Sequence, residues 1–499
     1  MIRTCLVHEL APFSSGALCH IRGTMPTWRI LERFIKGRNS VLMTATEKNQ
    51  DQQRAESLGI VPAVRRPIKI VFLGAGSFFF QRLLMDVLGI PGADRGEIAV
   101  VDVDAERLEL ADRLGRLIVD KMGKPWVVTA CTDRRRVLAG ADYVINCIEV
   151  SGVECVRFDN DIPARYGIDQ CIGDTIGPGG LFKALRTTPV FLEVLKDVES
   201  LCPGAWVLNY TNPMSILCLA AARSSQVKVV GLCHSVQGTG HDLARYAGVP
   251  YHELRWACGG INHLAWFTEL SRDGRDLYPE LRDKALNDAT IYEQDPVRFD
   301  MMFHFGHFIT ESSGHLSEYL PYYRKRPELI RKYCRAGYKG GSGFYADQWP
   351  TWRRECDEKR LKLVTGQEDL VIDRSWEYAS YIIQAMETHQ PFVVHANVPN
   401  TGLIENLPRD GVVEVACLVD RNGVRPTHFG PLPPQCAAVC DWNMRMYELA
   451  VIACIERSRE AAVHALMLDP LTAAVCCPAE IRKMAEELFA AEAAFLPGF

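Results

Sequence analysis

No stretch of this chain runs apolar and uncharged for the roughly 18 residues that a membrane-spanning helix needs, and runs such as Ser215 to Ala222 are soon followed by Arg or Ser. A long run of basic residues is also missing. The formal net charge of -5 gives no general electrostatic reason to bind nucleic acid or an anionic membrane. These absences exclude nucleic acid and membrane as expected partners and leave a small molecule. Paired CxxC spacing is absent, and so is a persuasive secretory signal. The 18 cysteines are therefore expected to be reduced thiols of a cytoplasmic protein rather than a disulfide scaffold. There is no internal repeat and no low-complexity tract.

What is present suits a soluble globular protein. The 499 residues are 48% hydrophobic and 23% charged, enough for a full core divided into two structural units. Residues 1–65 read as an N-terminal extension, disordered or read through from a misassigned start. Arg3, Arg22, Arg29, Arg33 and Arg38 stand there among hydrophobics, Met43 offers an alternative start, and the polar run from Thr46 to Glu56 reads as a linker.

From Ile68 onward short apolar runs alternate with longer amphipathic stretches. Ile68 to Leu73, Ile98 to Val101, Asp142 to Ile148, Trp206 to Leu208 and Val227 to Leu232 read as parallel strands. Phe80 to Leu88, Ala105 to Lys121 and Leu181 to Ser200 carry helical periodicity. The pattern predicts an α/β fold, a Rossmann-like doubly wound sheet over residues 66–235. After about Ser235 the alternation breaks down, and residues 236–499 read as a mixed α+β domain that supplies the substrate and metal pocket. One long helix is expected there from Asp441 to Arg457.

The segment from Ile70 through Gly74, Ala75, Gly76 and Ser77 follows a strand and opens a helix. In that context glycines let the backbone approach a pyrophosphate at a helix N-terminus. Phe79 stands where a third glycine would complete the fingerprint. Asp102 ends the next strand, where a carboxylate can bond both ribose hydroxyls and would repel a 2'-phosphate, so NAD is expected over NADP. Arg107 is assigned to the face of the following helix.

Three further clusters fall at the carboxyl ends of the later strands, where open α/β sheets bind ligands: Asn209-Tyr-Thr-Asn212-Pro213, Cys233-His234-Ser235-Val236-Gln237-Gly238 and Asn262-His263. Together with Gly173-Asp174-Thr175-Ile176-Gly177-Pro178-Gly179-Gly180, they make the chain resemble glycoside hydrolase family four from about Lys69 to Glu456. Asn397-Val-Pro-Asn400-Thr-Gly402-Leu-Ile-Glu405-Asn and Val415-Ala-Cys417-Leu-Val extend the likeness. The resemblance implies a fold of the lactate/malate dehydrogenase-like superfamily and a homodimer or homotetramer. It also implies NAD and a divalent metal, typically manganese, held by Cys233 and His263. A thiolate with an imidazole would ordinarily suit zinc or iron better, and two protein ligands alone make a weak site.

The string Cys233-His234-Ser235-Val236 is similar to the α-galactosidase branch, which points to an unphosphorylated α-galactoside. An α-glucosidase, an α-glucuronidase or an α-galacturonidase of the same family is the alternative. The family's reaction is a hydride transfer from sugar C3 to NAD, removal of the acidified C2 proton, elimination of the glycosidic oxygen, addition of water and return of the hydride. By resemblance Asn212 binds substrate, and Asp174 lies beside the turn that approaches the nicotinamide and sugar. His234 occupies the position of an acid. His315 and Tyr319 both stand as candidates for the base. A plain NAD-dependent 2-hydroxyacid dehydrogenase is the reading from another class, and the pair Cys233 and His263 speaks against it.

Overall fold

A computed structural model describes residues 52–499. The expectations placed on residues 1–51 lie outside these described residues. Contacts divide the chain after Leu58, and the unit described below is Gly59–Phe499.

Six parallel strands form the expected sheet. They are β1 (Ile68–Leu73), β2 (Gly96–Val101), β3 (Trp126–Cys131), β4 (Tyr143–Asn146), β5 (Trp206–Asn209) and β6 (Lys228–Leu232), lying side by side in the order β6-β5-β4-β1-β2-β3. This is the doubly wound order, whose reversal between β1 and β4 opens a crevice at the strands' carboxyl ends. Successive side chains on a strand point to opposite faces, and both faces of β1 are covered. Ile70 and Phe72 face Phe80, Leu84, Ala111 and Leu114, whereas Val71 and Leu73 face Phe191, Val194 and Leu217. Phe72 meets Phe80 edge to face at 5.3 Å between ring centres. Truncating either to Ala would cost roughly 3–5 kcal/mol.

The helix Ala105–Lys121 has the bounds that its periodicity predicts. Asp104 caps it, accepting from the Glu106 and Arg107 N–H groups at 3.0 and 3.2 Å. Three sequence expectations need correction. β3 was not anticipated, because it is an edge strand that alternates buried and solvent-facing residues and lacks a continuous apolar run. The long helix of the first half begins at Gly177, inside the Gly-rich motif, and runs to Leu201. The helix expected over Asp441 to Arg457 spans Pro434–Glu456. Pro434 opens it at a position where a missing N–H is harmless, and Arg457 ends it in the left-handed conformation, φ 56°.

The second half does not leave the sheet. β7 (Arg255–Ile261), β8 (Leu264–Arg272), β10 (Phe308–Ile309), β11 (Phe392–Pro399) and β12 (Val412–Asp420) continue it in the order β10-β8-β7-β12-β11, and β11 joins antiparallel to β6 through Ala396 and Asn397. Two short strands, β9 (Arg275–Asp276) and β13 (Gly423–Pro426), pair with β8 and β12 off that path. The carboxyl end of β6 therefore sits in the interior of one 13-stranded sheet, flanked by both halves of the chain. No described helix is long and apolar enough to cross a membrane.

Candidate active site

The turn after β1 is tight for a steric reason. Gly74 has φ +75°, and a side-chain carbon there would stand 2.5 Å from the Cys147 carbonyl oxygen. At Gly76 it would stand 2.7 Å from Asp102 Oδ2. Glycine at both positions lets the turn lie against β4 and lets the Gly76 N–H donate to Asp102 Oδ2 at 2.7 Å. The other carboxylate oxygen of Asp102 accepts from the Asp104 N–H at 3.1 Å. Arg107 does not stay on its helix face. Its guanidinium donates to the Gly76 carbonyl and pairs with Asp357 at 3.4 Å, while Arg360 donates to the Ser77 carbonyl. The hydroxyl of Ser77 is buried without a hydrogen-bond partner, a polar atom left free to meet a ligand.

A cavity of about 440 Å³ opens over this turn. It runs from Asp102, Arg107 and Asp133 at one end to Asp174, Lys183 and Asn212 at the other. The glycine cradle, the carboxylate at the end of β2 and the orphaned Ser77 hydroxyl fit a dinucleotide laid along this crevice.

Beyond the far end of the cavity three donor atoms converge from separate segments. Cys233 follows β6, His263 sits in the two-residue turn between β7 and β8, and Glu311 follows β10. Their ligand atoms all lie within 4.8 Å of one another. The distance from Cys233 Sγ to His263 Nε2 is 3.3 Å, and from His263 Nε2 to Glu311 Oε2 it is 3.8 Å. His263 and Glu311 both hold left-handed backbone, φ 62° and 73°, which costs of order 1–3 kcal/mol each and persists only where the surroundings impose it.

Tyr319, fully buried, places its hydroxyl 3.2 Å from His263 Nδ1. That contact leaves Nε2 turned toward Cys233 and Glu311, the arrangement by which an outer partner orients a ligating imidazole. Burial would raise the Glu311 carboxyl, but His263 and His315 hold it well below its ordinary value. Burial and the Glu311 carboxylate push the Cys233 thiol up to about 11, as expected of a thiol that awaits a cation to displace its proton. The carboxylate matters for the choice of metal. A thiolate, an imidazole and a carboxylate form a harder set than the first two alone and fit manganese better.

Between trio and cavity runs a second chain of polar side chains. His315 Nδ1 is 3.7 Å from Glu311 Oε1, and its Nε2 is 3.8 Å from Asp174 Oδ1, buried and without a hydrogen bond. Asp174 Oδ2 accepts from the Asn212 side-chain amide at 3.4 Å and faces Lys183 Nζ at 3.6 Å. Lys183 in turn pairs with Glu149 at 2.7 Å. Burial works against ionised Asp174, yet Lys183 and then His315 keep its carboxyl below the ordinary range.

The structure thus brings together Cys233, His263, His315, Tyr319, Asp174 and Asn212, while Gly74, Gly76, Ser77 and Asp102 gather at the turn. His234 stands apart. Its side chain is half exposed and lies 3.6 Å from Glu377, on the outer side of the helix that follows Cys233. Sequence reasoning missed Glu311, Lys183, Glu149 and Tyr338, whose hydroxyl donates to Glu311 Oε1 at 2.6 Å. It missed the work of Glu318 as well, which accepts from the backbone N–H groups of Cys171, Ile172 and Gly173 and so holds the Gly-rich turn. The i, i+4 spacing of Glu311 and His315 was the one available signal.

Sheet, turn and donor trio define an enzyme of the dinucleotide-binding α/β class. The chain belongs to glycosyl hydrolase family 4: residues 69–249 match the model for the family 4 glycosyl hydrolase, and residues 258–472 match its C-terminal domain. It is 40% identical over 441 residues to an alpha-galactosidase of Bacillus subtilis (strain 168), covering 86% of this chain and 99% of that one. It is 38% identical over 439 residues to an alpha-galactosidase of Rhizobium meliloti (strain 1021), covering 86% and 89%. Among solved structures, a 6-phospho-alpha-glucosidase from gut microorganisms, in complex with NAD and Mn2+, shares the fold at a TM-score of 0.74 and 21% identity, covering 87% of this chain and 99% of that one. With the family shown, the dehydrogenase alternative falls.

Proposed function

We propose that the chain is an α-galactosidase that uses NAD and manganese and cleaves unphosphorylated α-galactosides by oxidation at C3 and elimination across C1 and C2. The observation that carries the sugar assignment is the 40% identity to an alpha-galactosidase along nearly the whole of that relative. The resemblance of Cys233-His234-Ser235-Val236 to the same branch supports it. The cofactor assignment is supported by the turn at Gly74 to Ser77, by Asp102 and by the trio of Cys233, His263 and Glu311.

Bound together, NAD would accept and return the C3 hydride while a divalent cation polarised the C2 and C3 oxygens. The chain's own residues do the remaining work. Asn212 can donate its amide to one sugar hydroxyl and accept from another. Asp174, kept ionised by Lys183, accepts from a second hydroxyl and fixes the sugar between cavity and trio. His315 is the better placed of the two candidate bases, because its Nε2 faces Asp174 unbonded. Tyr319 is a positioning residue for His263. His234, exposed to solvent, can pass a proton to the departing oxygen from the outer side.

The chain is further proposed to work as a homodimer or homotetramer, as its family resemblance implies, and in the cytoplasm, a compartment supported by described cysteines that are all free thiols. The deciding experiment is a screen of p-nitrophenyl α-galactoside, α-glucoside and α-glucuronide with NAD, manganese and reductant present. Cleavage of the galactoside is expected. Preference for either other sugar would move the chain to another specificity of the family, and NADH accumulating on a hydroxyacid without glycoside cleavage would overturn the reading.

A further inference from the structure

The helix Ser235–Ala247 starts two residues beyond the metal-ligating thiol, and one of its faces is open to solvent. His234, Gln237 and His241, spaced i, i+3 and i+7, fall on one stripe of such a helix. His234 and His241 are exposed, and Gln237 is half-buried. Gly238 belongs to the same face, and a side-chain carbon built on it would meet nothing within 4 Å. Open space therefore lies above the helix from its first turn onward, reaching about 10 Å from His234 to His241 at 1.5 Å per residue.

Aromatic rings border that space. Trp376 is 45% exposed, unusual for so large an apolar side chain. Its ring centre is 5.1 Å from that of His241, which stacks on Tyr251 at 3.7 Å. The loop that carries Trp376 is pinned on two sides. Gln237 donates to the Trp376 carbonyl at 3.1 Å, and Ser375 donates to both oxygens of Asp86 at 2.6 and 2.5 Å. The border adjoins the trio along the chain: Glu377, next to Trp376, lies 3.6 Å from His234, and His234 directly follows Cys233.

We infer that Trp376, His241 and Tyr251 form a binding platform for the leaving-group sugar, the pyranose ring joined to the α-galactosyl unit, with Gln237 and the space over Gly238 completing the subsite. A fixed, exposed indole beside imidazole and amide groups suits a pyranose, whose apolar C–H face lies on aromatic rings while its rim of hydroxyls needs polar partners. The segment Trp376–Glu377 is held to the start of this helix by Gln237 and by the approach of Glu377 to His234, which puts the bond to be broken between the platform and the trio. This inference rests on the α-galactosidase reading above.

The test compares kcat/KM for two substrates in the NAD- and manganese-loaded enzyme. One is a disaccharide of α-galactose linked to glucose; the other is α-galactosyl fluoride, which has no second ring. Trp376→Ala is expected to lower the disaccharide-to-fluoride ratio roughly three- to tenfold, the worth of one aromatic contact. Gly238→Leu, which fills the open space without contacting the buried core, should lower the same ratio and raise KM for the disaccharide. Equal losses on both substrates, or no loss on either, would overturn the platform while leaving the α-galactosidase reading intact. An unmodified enzyme that cleaves neither substrate would instead overturn that reading, and the platform with it.

Discussion

His263 Nε2 stands 3.3 Å from Cys233 Sγ, although 30 positions separate the two residues, and Glu311 Oε2 closes the triangle from a third segment. If the triangle is the metal site, Cys233→Ser, His263→Ala and Glu311→Gln should each abolish glycoside cleavage while leaving NAD affinity within about twofold, because the turn at Gly74 to Ser77 is a separate constellation. Calorimetric titration of manganese and of NAD checks both halves. Full activity of Glu311→Gln at limiting manganese would remove Glu311 from the ligand set.

Tyr319 touches the trio from behind, through His263 Nδ1 at 3.2 Å. Tyr319→Phe should therefore weaken manganese binding about 10- to 100-fold, the usual effect of losing an outer partner. Excess manganese should restore most of the rate. A variant that binds manganese normally yet has lost turnover would make Tyr319 a proton carrier instead.

At the other end of the crevice, Gly76→Ala would push its new methyl group against Asp102 Oδ2, 2.7 Å from the ideal carbon position. The carboxylate would have to leave the position from which it can bond ribose. NAD affinity should fall by roughly tenfold or more, with manganese affinity unaffected. In the unaltered enzyme NAD is needed only in catalytic amount, and absorbance at the NADH band should stay flat during hydrolysis.

Hydrolysis in deuterium oxide should place deuterium at C2 of the released sugar, because a proton taken from C2 exchanges with solvent. Direct displacement at C1 never touches that hydrogen. His315→Asn and Tyr319→Phe alter the two candidate bases, and comparing label incorporation tells which moves the proton. His315→Asn is expected to lose both rate and label. Product with no deuterium at C2 from the unaltered enzyme would contradict elimination.

His395, buried against Trp256, has its imidazole pushed down to about 4 by loss of solvent. Unfolded, the ring titrates near 6.5. Between these values the unfolded chain binds the extra proton, so stability is full above about pH 6.5 and falls as pH drops toward 4. From pH 7.5 to pH 5 the loss should be about 2 kcal/mol. Urea unfolding of His395→Gln should show a smaller loss over that range, and an identical pH dependence would exonerate the residue.

Much of the framework was legible in the chain, for local reasons. Ile68 to Leu73 is a run too short and too apolar for anything but a buried strand, and Asp104 with the periodicity that follows it marks a helix to the residue. Gly74, Gly76 and Asp102 announced a dinucleotide turn because the steric demand there is met within one β-α-β unit. Cys233, His263, Asn212 and Asp174 were singled out through motif resemblance, which compresses tertiary information that no single segment carries, and the fold gathers them. What only the folded molecule decided depends on pairing between distant segments. β11 joins β6 from 166 positions further along the chain and carries the second half into the same sheet, a register that no local pattern encodes. Glu311 stands beside His263 because a strained backbone turn aims it there, and the Tyr319 hydroxyl meets His263 Nδ1 because a separate segment packs against that ring. In each case residue type was written locally, while direction and distance came from packing.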